Sequence, residues 1–184
     1  ISYFSWKYVY EDAFPQPGDY DFNDLVMTVT RQVDLEDPSK LYLTVSLDAL
    51  GSTSAMAAAI HISGLDPTSV ESIKASEKFL FYEYSGVDKI KSNVDYSTSF
   101  TGDVVIPLFS DAHWAMSRGY DKVNGSPAHY YYNTVKDASS LYYSTSKTGD
   151  PARVIYTIKC TSADVAKNIT SNTIDAFIIT QYNG

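Results

Sequence analysis

The sequence predicts an all-β fold: a two-sheet antiparallel β-sandwich, jelly-roll-like, with one or two short helices in its loops. Three observations predict it. The 184 residues include 16 Tyr and 8 Phe, types that suit a pleated, half-buried strand surface. Two neighbouring segments alternate apolar and polar residues with a period of two. About eight short strand candidates, separated by Gly-, Ser-, Asn- and Pro-containing breaks, succeed one another with little helix between them, and such a series packs as two sheets.

The elements follow in chain order. Residues 2–9 form the first strand candidate. Leu25, Met27, Val29 and Val33 alternate with Val26, Thr28, Thr30 and Gln32, the pattern of a strand with one apolar face. After the turn-rich stretch from Asp34 to Lys40, Leu41, Leu43, Val45, Leu47 and Ala49 share one face against Tyr42, Thr44, Ser46 and Asp48. The two segments are expected to pair as an antiparallel hairpin. Residues 57–62, 79–84, 103–107, 153–160 and 175–181 complete the set. Three segments are candidates for those short helices: Asp66 as N-cap with Pro67 at the first helical position before Val70 and Ile73, Ser110 capping 111–117, and Ser162 capping 163–169. Residues 110–148 are too irregular and too long for a plain hairpin connection and are expected to pack as a decorated loop region.

No repeat, linker or shift of composition divides the chain, so residues 1–184 are read as one domain, a length that buries roughly 70% of the unfolded surface. It opens at Ile1 rather than Met and shows no signal-peptide pattern, which predicts a trimmed or processed piece of a longer protein. A net charge of -8, with no basic cluster to offset it, argues against nucleic acid and anionic membranes as partners. No apolar run is long enough to predict a transmembrane segment. The single cysteine, Cys160, falls in phase with Val154, Tyr156 and Ile158 and reads as an inert core thiol.

The chemistry concentrates in one loop. Asp19, Asp21, Asn23 and Asp24 crowd together just before a strand, and Glu11 and Asp12 lie across the Pro15-Gln16-Pro17-Gly18 turn. Such a set suits calcium, which takes six to eight oxygen ligands. The spacing of Asp19, Asp21 and Asn23 matches the start of an EF-hand loop, but the sixth position is Asp24 rather than Gly and the twelfth is Thr30 rather than Glu. A calcium loop at the edge of a sandwich fits better. The plainer alternative is a solvated loop in which Asp and Asn stabilise turns through their own backbone hydrogen bonds. Zinc or catalytic magnesium fits less well, because no His or Cys accompanies the acids and no phosphate-binding loop is near.

Tyr10-Glu11-Asp12 followed by Gly18-Asp19-Tyr20-Asp21-Phe22-Asn23-Asp24-Leu25-Val26 resembles the signature of the LruC-type domains, especially the DUF4842 family of secreted or surface lipoproteins of Bacteroides-like bacteria. Weaker similarity continues in Ile106-Pro107-Leu108-Phe109-Ser110-Asp111-Ala112-His113, in Tyr132-Asn133-Thr134 and in Asp175-Ala176-Phe177-Ile178-Ile179, so it spans most of the chain. The resemblance implies a β-sandwich outside the cytoplasm, at the cell surface or in the periplasm, with Glu11, Asp12, Asp19, Asp21, Asn23 and Asp24 as an acidic signature suspected of binding calcium. It implies no known activity.

An enzyme would need two separated carboxylates, or His113 or His129 as a base. Crowding of the acids in one loop suits a cation better, and no nucleophile elbow, zinc-protease motif, P-loop or dinucleotide fingerprint occurs. His61 reads as a hydrogen-bonded strand residue. His113 beside Trp114 and His129 beside three tyrosines could line a ligand surface, though packing or exposure explains each as well. Trp114, Tyr120, Tyr130, Tyr131 and Tyr132, with Tyr142 and Tyr143, are candidate aromatics for stacking on a sugar or a protein partner. The expectation is a non-catalytic surface binding or adhesion module for a surface glycan or protein, with a structural calcium ion. The alternative is a carbohydrate-active accessory domain or glycan-processing enzyme.

Overall fold

The structure, a computed structural model, describes residues 3–12, 24–76, 102–133, 146–148 and 150–180. Strands β1 (Tyr3–Tyr10), β2 (Leu25–Val33), β3 (Lys40–Ala49) and β4 (Met56–Ile62) come first. A 3-10 turn (Pro67–Ser69) leads into β5 (Val70–Ala75), and β6 (Val104–Phe109) precedes helix α1 (Ala112–Ser117). The short strands β7 (Lys122–Val123), β8 (Ser126–Pro127), β9 (Tyr131–Asn133) and β10 (Ser146–Thr148) follow, then β11 (Ala152–Cys160), α2 (Ala163–Asn168) and β12 (Ile174–Thr180).

Two antiparallel sheets make the sandwich. One runs β1-β2-β3-β11-β5 and the other β12-β4-β6. The expected β2/β3 hairpin is present, with Val29 opposite Val45 and Met27 opposite Leu47. Period-two alternation turns Leu25, Met27 and Val29 inward with Leu41, Leu43, Val45 and Leu47, and β11 adds Val154, Tyr156, Ile158 and Cys160. From the facing sheet come Met56, Ile60, Ile62, Val104 and Ile106. Pro107 sits in β6, at the edge of its sheet and beside a register shift, where its missing N–H breaks no ladder bond.

The first strand closes one side. Trp6, Tyr8 and Tyr10 pack against the core, and the Tyr8 hydroxyl donates to the Ile174 carbonyl at 2.9 Å. The Tyr10 hydroxyl donates to the Ala176 carbonyl, so tyrosines from the edge of one sheet satisfy backbone acceptors of the edge strand opposite. Burial, with Tyr8 and Asp175 adding to it, raises the Tyr10 pKa well above the usual phenol range.

The helix expectations divide. Ser162 caps α2, accepting from Val165 N–H. The cap of α1 is Asp111 rather than Ser110. At Pro67 only a 3-10 turn forms, capped by Asp66, and the following residues are strand β5 instead of helix. The spacing of Val70 and Ile73 imitates a helix because the pairing of β5 with β11 shifts register between Lys159 and Cys160. That bulge-like irregularity lets two residues three apart both face the core, where a regular strand would separate them. The irregular stretch from 110 holds α1, the β7/β8 ribbon and β9, and a bridge between Leu50 and Tyr132 ties it to the end of β3. The expected strand at 79–84 lies outside the described residues.

Candidate metal centre

Register creates the acidic site. Tyr10, the last residue of β1, lies opposite Leu25, the first of β2. The residues just past that pair, Glu11 and Asp12 on one side and Asp24 on the other, therefore meet whatever the intervening chain does. The Asp12 N–H donates to Asp24 Oδ2 at 2.8 Å, and a carboxylate oxygen from each of the three acids lies within 4.8 Å of the others. Glu11 is 9% and Asp24 7% exposed. Glu11 Oε2 is fully covered and has no hydrogen-bond partner among the described residues. Asp19, Asp21 and Asn23 lie outside the described residues.

Two unit charges 4 Å apart interact by about 4 kcal/mol at an effective dielectric of about 20, so the three carboxyls do not ionise independently. Burial, a hydrogen bond with Glu11 and the charges of Asp12 and Glu11 push the Asp24 carboxyl up to about 7, against the Asp12 N–H that favours its anion. For Asp12 burial also acts upward, but hydrogen bonds from Ser52, Ser54 and Asp24 outweigh it and leave this carboxyl below its ordinary range. The cluster thus holds a proton on Asp24 at a pH where carboxyls are normally bare. A buried, unpaired acceptor such as Glu11 Oε2 costs about 1–3 kcal/mol of desolvation. Glu11, Asp12 and Asp24 could hold a metal ion, and their all-oxygen donor set is of the kind that hard divalent cations take.

The segment between β3 and β4 joins this cluster to a second one. The Ser52 hydroxyl donates to Asp12 Oδ2 and accepts from Ser54 N–H at 2.9 Å, while the Ser52 carbonyl lies 2.8 Å from His113 Nε2. His113 is wholly buried and Asp111 is 3% exposed. Asp111 Oδ1 lies 3.2 Å from His113 Nδ1, and Asp111 Oδ2 lies 3.0 Å from His129 Nε2. The two imidazoles stack with centroids 4.4 Å apart. Burial acts to raise the Asp111 carboxyl, yet the hydrogen bonds and charges of the two histidines prevail and hold it well below the usual carboxylate range. In return Asp111, opposed by burial, raises His129.

Asp111 and Ser52 were not read from the sequence as site residues. The Asp-x-His spacing at a helix start was the available signal for Asp111, while Ser52 and His129 reach this point only through the tertiary fold. The expectation that no His accompanies the acids is corrected by the fold: Ser52 bonds both Asp12 and His113, and Asp111 joins His113 to His129.

The aromatic candidates scatter. Tyr120 is 85% exposed, and Lys122 Nζ lies 5.1 Å from the Trp114 ring centroid, a cation–π contact. Tyr130 packs against the core, Tyr131 is half-buried, and Tyr132 is buried with its hydroxyl donating to Asp121 Oδ2 at 2.6 Å. The Tyr132 ring is thus part of the core and offers no open face. Tyr142 and Tyr143 lie outside the described residues. His61 is a half-exposed strand residue bonded to Asp103 at 2.9 Å. Burial pushes the Cys160 thiol up to about 11, which keeps it protonated and unreactive.

Fold and site together define an all-β sandwich with two linked clusters of metal-ligand side chains at one end. Compared with family models, with curated proteins and with solved structures, the chain matches none. Among the described residues no helix is long and apolar enough to cross a membrane.

Proposed function

We propose that the chain is a non-catalytic binding or adhesion module of the cell surface or periplasm, held rigid by one calcium ion at Glu11, Asp12 and Asp24. The observation that carries the calcium reading is the buried Glu11 Oε2, without a hydrogen-bond partner among the described residues, on a carboxyl grouped with those of Asp12 and Asp24. The resemblance of the surrounding residues to LruC-type domains supports the extracytoplasmic location and the oxygen-only chemistry. Asp19, Asp21 and Asn23 supply further oxygens in this reading. Calcium acts structurally: it binds across the ends of β1 and β2 and fixes the loop between them, leaving the ligand surface to exposed side chains such as Tyr120.

Calorimetric titration of metal-stripped protein tests the site. Calcium is expected to bind at one equivalent and raise the melting temperature, and Asp24→Asn is expected to abolish both effects. A melting curve indifferent to calcium would refute the metal assignment. A glycan array with hydrolysis assays tests the role, since turnover that disappears when a carboxylate is removed would replace the binding module with an enzyme.

A further inference from the structure

Asp111, His113 and His129 come together from the start of α1 and from the segment before β9, and polar contacts engage three of the four ring nitrogens. His113 Nε2 faces the Ser52 carbonyl oxygen at 2.8 Å, a contact that exists only if this nitrogen carries the proton. A neutral imidazole has a single N–H. With that proton on Nε2, His113 turns the lone pair of Nδ1 toward Asp111 Oδ1 at 3.2 Å, an oxygen that also accepts from the His113 backbone N–H at 2.9 Å, while His129 Nε2 faces Asp111 Oδ2 at 3.0 Å.

One ligand atom from each of the three side chains lies within 4.8 Å of the other two. A proton on His129 Nε2 alone bridges it to Asp111 as an ion pair, and a divalent cation entering the cluster takes the place of that proton. Ligand atoms bound at 2.0–2.2 Å in tetrahedral geometry lie roughly 3.3 Å from one another, close to the separations found. Metal-bound histidines characteristically donate the other ring N–H to a backbone carbonyl or carboxylate, which fixes the tautomer. His113 does so here, toward the Ser52 carbonyl.

We propose that Asp111, His113 and His129 form a second metal site, for a zinc-class divalent ion bound through His113 Nδ1, His129 Nε2 and the Asp111 carboxylate. Two imidazoles and one carboxylate select for zinc, cobalt or nickel over calcium, whose ligands are oxygens. His113 and Asp111 are buried and one third of the His129 side chain is exposed, so the ion enters from the His129 side and keeps a water there as its fourth ligand. The site stands on different side chains from the calcium cluster and does not depend on it. Ser52 touches both and sets them side by side.

The test uses metal-stripped protein in saturating calcium, titrated with zinc and, in parallel, with cobalt. One equivalent of zinc is expected to bind, and cobalt is expected to give the visible absorption of a low-coordinate nitrogen and oxygen site. Nitrogen-15 spectra of the rings are expected to show zinc shifting His113 Nδ1 and His129 Nε2 while His113 Nε2 stays protonated. His129→Gln, at a partly exposed position that tolerates change, is expected to weaken zinc more than about a hundredfold, beyond the 10–100-fold that loss of an outer partner produces. Asp24→Asn is expected to leave zinc binding intact, so the two metal assignments fail separately. The proposal is overturned by absence of saturable zinc binding, by zinc binding unchanged in His129→Gln, or by rings that keep protons on both nitrogens throughout the titration.

Discussion

Strand β2 places buried charge at both of its ends and treats the two oppositely. Arg31, near the far end, is 8% exposed; its guanidinium donates to the Ile169 carbonyl and, at 3.1 Å, to the Ala166 carbonyl, at the C-terminus of α2. Those carbonyls lie at the negative end of the helix dipole, and the Ala166 carbonyl also accepts from the Ile169 N–H at 3.2 Å, so the fold itself supplies what the cation needs. Asp24, just before the strand, meets Glu11 and Asp12 instead. The fold supplies like charges there. Burial of a charge is therefore no mark of a binding site; a buried group whose neighbours leave it unmatched is.

The largest effect is expected at the matched end. Arg31→Met keeps much of the packing but removes two charge-assisted hydrogen bonds, and hydrogen bonds to a charged group contribute about 1.5–3 kcal/mol each, so a loss of roughly 3 kcal/mol in urea unfolding is expected. The stabilisation by calcium should be unchanged in this variant. A calcium increment that shrinks with Arg31 would show that the two ends do not act independently.

At the unmatched end calcium is expected to add about 2.7 kcal/mol at a hundred times its dissociation constant. Asp24→Asn should remove that increment and yet make the metal-free protein more stable than the parent at pH 8, because it deletes one of three repelling charges. Lower stability of metal-free Asp24→Asn at that pH would sink the view that the carboxyls oppose one another.

The same carboxyl titrates visibly. Its pKa stands at about 7 in the folded protein against an ordinary 3.8, so the folded state binds the proton more tightly than the unfolded chain. The associated stability is complete below about pH 4 and is lost as pH rises through 7. Metal-free stability of the parent, measured relative to Asp24→Asn, should fall across that window and then level off. Calcium must displace this proton, so its apparent affinity should drop about tenfold per pH unit below 7. A calcium affinity flat from pH 5 to 8 would contradict the assignment of Asp24 as a ligand.

How far the sequence reveals each end follows from the range of the contacts. The hairpin of β2 and β3 was legible because alternation such as Leu41, Leu43, Val45 and Leu47 is a local pattern, and the α2 cap was legible because Ser162 acts within one turn. Glu11, Asp12 and Asp24 were visible as an acidic group, but their meeting depends on β1 pairing with β2, a register no local pattern states. Strand β5 was misread because the register shift opposite Cys160 gives it a helical spacing of apolar residues. The Arg31 lock was invisible, since its acceptors are backbone carbonyls more than a hundred residues away. The Asp111, His113 and His129 group was half visible: each histidine stood out as a residue beside aromatics, and only the fold shows that they share one carboxylate.

Ser52 gives the smallest predicted effect and the finest division between the clusters. Its hydroxyl serves Asp12 and its carbonyl serves His113, so Ser52→Ala removes the first contact and keeps the second. Loss of one hydrogen bond to a carboxylate that is only partly buried is worth about 1.5 kcal/mol, the low end for a charged acceptor, roughly a tenfold weakening of calcium, accompanied by an upward shift of the Asp12 carboxyl. Zinc affinity should stay within about twofold of the parent, because a backbone carbonyl survives the substitution and outer-partner effects on a metal arise when the partner itself is lost. If calorimetry shows zinc weakened as much as calcium, the serine hydroxyl positions the whole loop, and the two clusters work as one site.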